Sequence, residues 1–135
     1  MSSKTFGRAG EQYAAQFLKK NGYRILSQNY RAGGGELDIV AYKRGTLVFA
    51  EVKTRSDDSF GTPAEAVGDK KIACLRSAAA AFLREQCRDG RVTVFYKFGF
   101  KAKKRVKNTR NDIIEIYTKK GVFSPYKIHH IQNAF

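Results

Sequence analysis

A chain of 135 residues, 42% hydrophobic and 28% charged, is long enough to bury a core as one domain spanning residues 1–135, without disulfides or a structural metal. Its charge is lopsided: 26 basic against 12 acidic residues give a formal +14, which raises the local concentration of polyanions and points to nucleic acid or an anionic membrane surface. No run of about 18 apolar residues offers a membrane span, and the amino end has neither a secretory stretch nor a glycine at position 2 for myristoylation, so no membrane partner and a cytoplasmic location are expected.

Residues 7–21 carry Tyr13, Ala14, Phe17 and Leu18 at helical spacing, closed by Lys19, Lys20 and Gly22, which predicts a first amphipathic helix. Glu11 precedes Ala14, Ala15 and Leu18 by three, four and seven positions, so it borders the apolar stripe and can point at a sheet. Tyr23 to Arg31 reads as a strand ending in the glycine-rich turn Ala32-Gly33-Gly34-Gly35.

Two further strands, residues 36–42 and 46–54, flank the step Arg44-Gly45, a hairpin signal. If Lys43 faces Thr46, then Tyr42 meets Leu47, Val40 meets Phe49, Asp38 meets Glu51 and Glu36 meets Lys53 on one face, while Leu37, Ile39 and Ala41 meet Val52, Ala50 and Val48 on the other. The hairpin is then apolar on both faces near its turn and crowds three carboxylates and one ammonium at its far end. Carboxylates opposed on a sheet repel and lose solvation unless a cation lies between them. Magnesium or manganese meets that need, because hard cations are held by one or two carboxylates together with a substrate phosphate.

Beyond a polar stretch, Thr62-Pro63-Ala64-Glu65 signals a helix start, and apolar spacing through Ile72, Leu75, Ala79, Phe82 and Leu83 carries that helix to about Cys87. Cys74 and Cys87 fit neither a disulfide framework nor a zinc spacing and read as ordinary thiols. Arg91 to Phe100 and Asn111 to Thr118 read as strands, and Gly121 to Phe135 as a tail. A helical crossover between Lys53 and Arg91 allows those two strands to run parallel, giving an α/β fold with a mixed sheet.

Between Lys97 and Arg110 lie Lys97, Lys101, Lys103, Lys104, Arg105, Lys107 and Arg110, with no acid and with Phe98 and Phe100 interleaved. Such a run reads either as a solvated loop or as a phosphate-tracking surface with aromatics that stack on bases. Arg55, directly after the hairpin, is a further candidate for phosphate contact. His129 and His130 lack a ligand pattern and read as packing or hydrogen-bonding residues.

Asp38 followed by Glu51-Val52-Lys53 on the next strand resembles the PD-(D/E)XK nuclease pattern, with Leu37 in place of the proline. Nearly the whole chain resembles the YraN family of uncharacterised bacterial proteins, through Gly10-Glu11-Gln12-Tyr13-Ala14-Ala15, Gly35-Glu36-Leu37-Asp38-Ile39-Val40-Ala41, Phe49-Ala50-Glu51-Val52-Lys53-Thr54-Arg55, Phe60-Gly61-Thr62-Pro63 and the end Ile128-His129-His130-Ile131-Gln132-Asn133-Ala134-Phe135. That resemblance implies a restriction-endonuclease-like mixed sheet of about five strands flanked by helices, distantly related to Holliday junction resolvases. It also implies a metal-dependent phosphodiesterase with Asp38 and Glu51 as metal ligands and Lys53 and Glu11 completing the catalytic set. Glu36 is open between an additional site residue and a salt bridge to Lys53.

The expectation is an endonuclease acting on structured or branched DNA, with RNA the other nucleic acid the residues leave open and a homodimer suited to cutting paired strands. The alternative is a non-catalytic nucleic-acid-binding module of the same fold, using Arg55, Lys101, Lys103, Lys104, Arg105, Lys107 and Arg110.

Overall fold

The computed structural model describes residues 3–56, 68–119, 122 and 124–135. Helix α1 (Ser3–Lys20) leads into β1 (Arg24–Ala32), β2 (Gly35–Lys43) and β3 (Thr46–Ser56), followed by α2 (Asp69–Gln86), β4 (Arg91–Phe95), β5 (Lys101–Arg105), β6 (Asn108–Thr118) and β7 (Pro125–Ile131). Five strands form one sheet in the order β1-β2-β3-β6-β7, while β4 and β5 make a separate two-stranded ribbon. Within the large sheet β3 and β6 are parallel, and the other neighbours are antiparallel. This mixed sheet with a helix on each face is consistent with a restriction-endonuclease-like fold.

The β2–β3 hairpin closes as its residues dictate, with Lys43 facing Thr46, Val40 facing Phe49 and Ile39 facing Ala50. Arg44 and Gly45 both hold positive φ, 47° and 89°, the left-handed conformations that a tight two-residue hairpin turn requires. Both faces near the turn are buried. Ile39, Ala41, Val48 and Ala50 pack with Ala14, Ala15 and Leu18 of α1, while Val40, Leu47 and Phe49 pack with Leu75, Ala78 and Phe82 of α2. Each large aliphatic side chain withdrawn from water in this way contributes roughly 1.5–3 kcal/mol.

Three expectations change. The strand that runs parallel to β3 is β6, and the strand from Arg91 lies outside the large sheet. The physical reason is in the burial pattern: β6 carries Ile113, Ile114 and Ile116 and is buried on both faces, as a central parallel strand must be, whereas β4 buries only Val92 and Val94 on one face. The strand expected through Phe100 stops at Phe95, turns through a single 3-10 turn at Lys97–Gly99, and returns as β5, so the basic stretch is a strand instead of a loop. The tail contains β7, an edge strand paired with β6. The expected helix start at Thr62 to Glu65 lies outside the described residues, and α2 runs from Asp69 to Gln86. No helix of the described residues is long and apolar enough to cross a membrane.

Candidate active site at the splayed end of the hairpin

Past Ile39 and Ala50 the β2–β3 ladder ends, and Asp38 leaves it. Its carboxylate Oδ2 accepts the backbone N–H of Val52 at 2.8 Å, so the side chain occupies the place where a backbone carbonyl of β2 would otherwise bond. The same departure explains Leu37, which strict alternation assigns to the α1 face but which packs in the α2-side cluster with Val40. Gly35, just before it, lies so close to α2 that a Cβ there would meet the carbonyl oxygen of Cys74 at 2.2 Å. A larger residue would push α2 away from this end of the sheet.

Glu51 is almost fully buried at 4% exposure. Its Oε1 lies 3.4 Å from Lys53 Nζ and 3.6 Å from Lys71 Nζ, whereas the buried Oε2 has no hydrogen-bond partner among the described residues. Burial, then the charge of Glu51, pushes the Asp38 carboxyl up to about 7, partly offset by the Val52 N–H and by Lys71. Glu11, from α1, is also raised, first by burial and then, against a hydrogen bond from Asn29, by the charges of Glu36 and Glu51. Gly10 brings α1 within reach: a Cβ there would lie 2.1 Å from Thr54 Oγ1 on β3.

The charges of Glu51 and Glu11 both act on Asp38, and Lys53 pairs with Glu51. The expected Glu36–Lys53 pair does not form; Glu36 pairs with Arg31 at 3.4 Å, and Lys53 with Glu51. The cause is the end of the ladder at Ile39, which carries Glu36 away from β3. Among the described residues no three His, Cys, Asp or Glu side chains form a complete cation cage. What the site holds is the carboxyls of Asp38 and Glu51, the latter with an orphaned oxygen, with Glu11 nearby and the ammonium groups of Lys53 and Lys71 on Glu51. That donor set fits a divalent cation completed by water and phosphate oxygens.

The sheet extends this polar face beyond the expected residues. Lys53 pairs with Glu115 on β6, which pairs with His129 on β7, a row of neighbouring strands about 4.8 Å apart. Glu115, 1% exposed, takes hydrogen bonds from Tyr117 Oη at 2.6 Å and lies 2.8 Å from His129 Nδ1. The bond to Glu115 holds the Tyr117 hydroxyl above its ordinary pKa. The signal for Glu115 was legible, an acid set within Ile113-Ile114-Glu115-Ile116; Lys71 had none, because only packing of α2 brings it to Glu51.

Of the basic residues assigned to nucleic acid, Lys101, Lys103, Lys104, Arg105 and Lys107 are exposed. Arg110 is engaged within the fold: Nε and Nη2 bind both oxygens of Asp112 at 2.9–3.1 Å, and Nη2 donates to Tyr23 Oη at 2.7 Å. Asp112 is fully buried and also meets His130 Nε2 at 2.6 Å and the Asn133 N–H at 3.1 Å. Burial pushes its carboxyl up, but His130, Arg110 and Asn133 outweigh that and hold it below the usual range. Arg55 follows the site on β3, and its buried Nε has no partner among the described residues.

Residues 10–116 match the sequence profile of an uncharacterised protein family, UPF0102. Similar curated relatives include a UPF0102 protein of Alkaliphilus oremlandii, 41% identical over 98% of this chain and 99% of its own length. Others are those of Carboxydothermus hydrogenoformans, 48% identical over 63% of this chain and 72% of its own length, and of Caldanaerobacter subterraneus, 36% identical over 100% and 98%.

Proposed function

We propose that this chain, which belongs to the UPF0102 family, is a magnesium- or manganese-dependent endonuclease that hydrolyses phosphodiester bonds in structured or branched DNA. The observation that carries the reading is the orphaned, buried Oε2 of Glu51 beside an Asp38 carboxyl that burial and Glu51 push up to about 7. Two crowded acids with a missing partner are costly in a fold unless a cation completes them. Asp38 and Glu51 would hold it.

When bound, such an ion polarises a phosphoryl oxygen and acidifies a water. Lys53, 3.4 Å from Glu51, would orient that water or stabilise the negative charge that develops on the phosphate, and Lys71, 3.6 Å from Glu51, would add a second positive charge from α2. Glu11, whose charge acts on Asp38 from α1, could order a water or reach a second cation at this end of the sheet. Arg55, whose buried Nε has no partner among the described residues, would contact a neighbouring phosphate. Cutting both strands of a junction further calls for a two-fold dimer that presents two such sites.

The test is a panel of linear duplex, flap, four-way junction and RNA, incubated with and without magnesium or manganese. Cleavage of at least one DNA structure only with metal is expected, with Glu51→Gln lowering the rate by at least about 100-fold while DNA binding in chelator is retained. Metal-independent cleavage, or undiminished cleavage in Glu51→Gln, overturns the assignment. Binding without any cleavage across the panel leaves the non-catalytic module instead.

A further inference from the structure

The β4–β5 ribbon has two unlike faces. Val92 and Val94 turn inward, 1% and 0% exposed, and join the α2-side core. The opposite face follows from the register: Arg91 lies across from Arg105, Thr93 from Lys103 and Phe95 from Lys101. Arg91, Lys101, Lys103 and Arg105 are all exposed, and none forms an ion pair with another described residue. Arg91 and Arg105 are like charges directly opposed on the ribbon, which repel, and the four exposed cations on this face together raise the local concentration of a polyanion.

The tip adds a second, independent feature. Phe98 is 93% exposed, Phe100 70% and Phe95 58%, on a chain whose core is otherwise well closed. Phe98 sits at φ 62°, a left-handed conformation that is unfavourable for a non-glycine residue. The turn is held by Tyr96 N–H donating to the Phe100 carbonyl at 2.7 Å. A ring kept outward in an unfavourable backbone state, at the end of a cationic ribbon, gains nothing from the fold itself.

We infer that the β4–β5 ribbon is a docking surface for nucleic acid with unstacked bases, its outward cations seating on phosphates and Phe98 stacking on an exposed base. Lys101, Lys103 and Arg105 recur at every second residue of one strand, about 7 Å apart, a regular row that a phosphate backbone can follow and that a lipid surface does not require. Aromatic stacking accepts any base, so the surface selects strand state over sequence. It therefore favours single-stranded or distorted DNA, such as a junction or a flap, over intact duplex. This deepens the endonuclease reading by naming its substrate state, and rests on that reading only for the claim that the bound strand is also the one cut.

The experiment measures anisotropy of a labelled oligo-thymidine and of a matched duplex in chelator, with the full chain. Phe98→Ala, at an exposed site, is expected to weaken oligo-thymidine binding about 5- to 150-fold with its salt slope unchanged and the melting temperature intact. Lys101→Gln with Lys103→Gln is expected to lower the slope by about 1.4, two phosphate contacts for a single strand. Phe98→Ala binding within about twofold of the parent, an unaltered slope in the double variant, or tighter binding to anionic phospholipid vesicles than to the oligonucleotide overturns the inference. A chain with these signatures that never cleaves sinks the endonuclease reading and keeps this one. A chain that cleaves through Glu51 yet ignores Phe98 and the lysines does the reverse.

Discussion

Replacing Asp38 with asparagine should stabilise this protein in alkaline buffer and remove its response to magnesium. In the fold the carboxyl titrates at about 7 against an ordinary 3.8, because burial and then Glu51 disfavour its charge. Between those values the folded state holds more protons than the unfolded one, so stability falls as pH rises through that window. Full ionisation at the raised pKa corresponds to a penalty of roughly 4 kcal/mol. Asp38 is only partly buried by area, and solvent screening reduces the figure to about 2 kcal/mol. Asparagine keeps an oxygen for the Val52 N–H at nearly the same shape, so little else changes. Urea denaturation followed by circular dichroism should then show parent and Asp38→Asn nearly equal at about pH 3, below both values, with the variant ahead by about 2 kcal/mol at about pH 8. Magnesium at 100 times its dissociation constant should restore about 2.7 kcal/mol to the parent at the higher pH, and nothing to the variant. A variant less stable than the parent at the higher pH, or a parent profile that is flat, would refute the account of a crowded acid pair awaiting a cation.

Lys53→Met should lower metal-dependent cleavage by about 100- to 1,000-fold with substrate affinity in chelator little changed, checked by single-turnover rates; an equal loss of binding would make Lys53 a docking residue. Gly10→Ala ought to destabilise by about 1–3 kcal/mol, against the usual gain from alanine in a helix, because its Cβ meets Thr54 Oγ1. Adding Thr54→Ala should restore most of that loss in a thermal melt, and no recovery would mean the clash is not the cause. Asp112→Asn strands Arg110 and should cost about 3–5 kcal/mol, read by urea midpoint. Since the Asp112 carboxyl lies below its ordinary value, its contribution is present above the unfolded pKa and fades as pH falls through the folded one, so the gap between parent and Asp112→Asn should narrow in acid.

Local chemistry decided the hairpin. Arg44-Gly45 and alternating apolar residues set a register that the fold keeps from Lys43–Thr46 to Ile39–Ala50, and that register brought Asp38, Glu51 and Lys53 to one end of two strands. It did so because turn type and side-chain period act over a few residues and need no distant partner. The α1 stripe and the position of Glu11 beside it were legible for the same reason. Where the ladder stops was not legible, since it depends on Asp38 taking the Val52 N–H and on Gly35 lying against Cys74 of α2. That stop is what separated Glu36 from Lys53.

Which strand neighbours which was also beyond local pattern. Arg91–Phe95 and Asn108–Thr118 both alternate or run apolar, but only β6 has side chains for both buried faces of the sheet interior, and that competition is settled when the whole core packs. Lys71 reaches Glu51, Glu115 joins the row from Lys53 to His129, and Arg110 turns inward to Asp112 because strands and helices distant in sequence converge. Composition and short-range period thus determined a basic α/β chain with an acidic hairpin end. The burial of long-range neighbours decided how that end is charged, and which of the basic residues remain free for a partner.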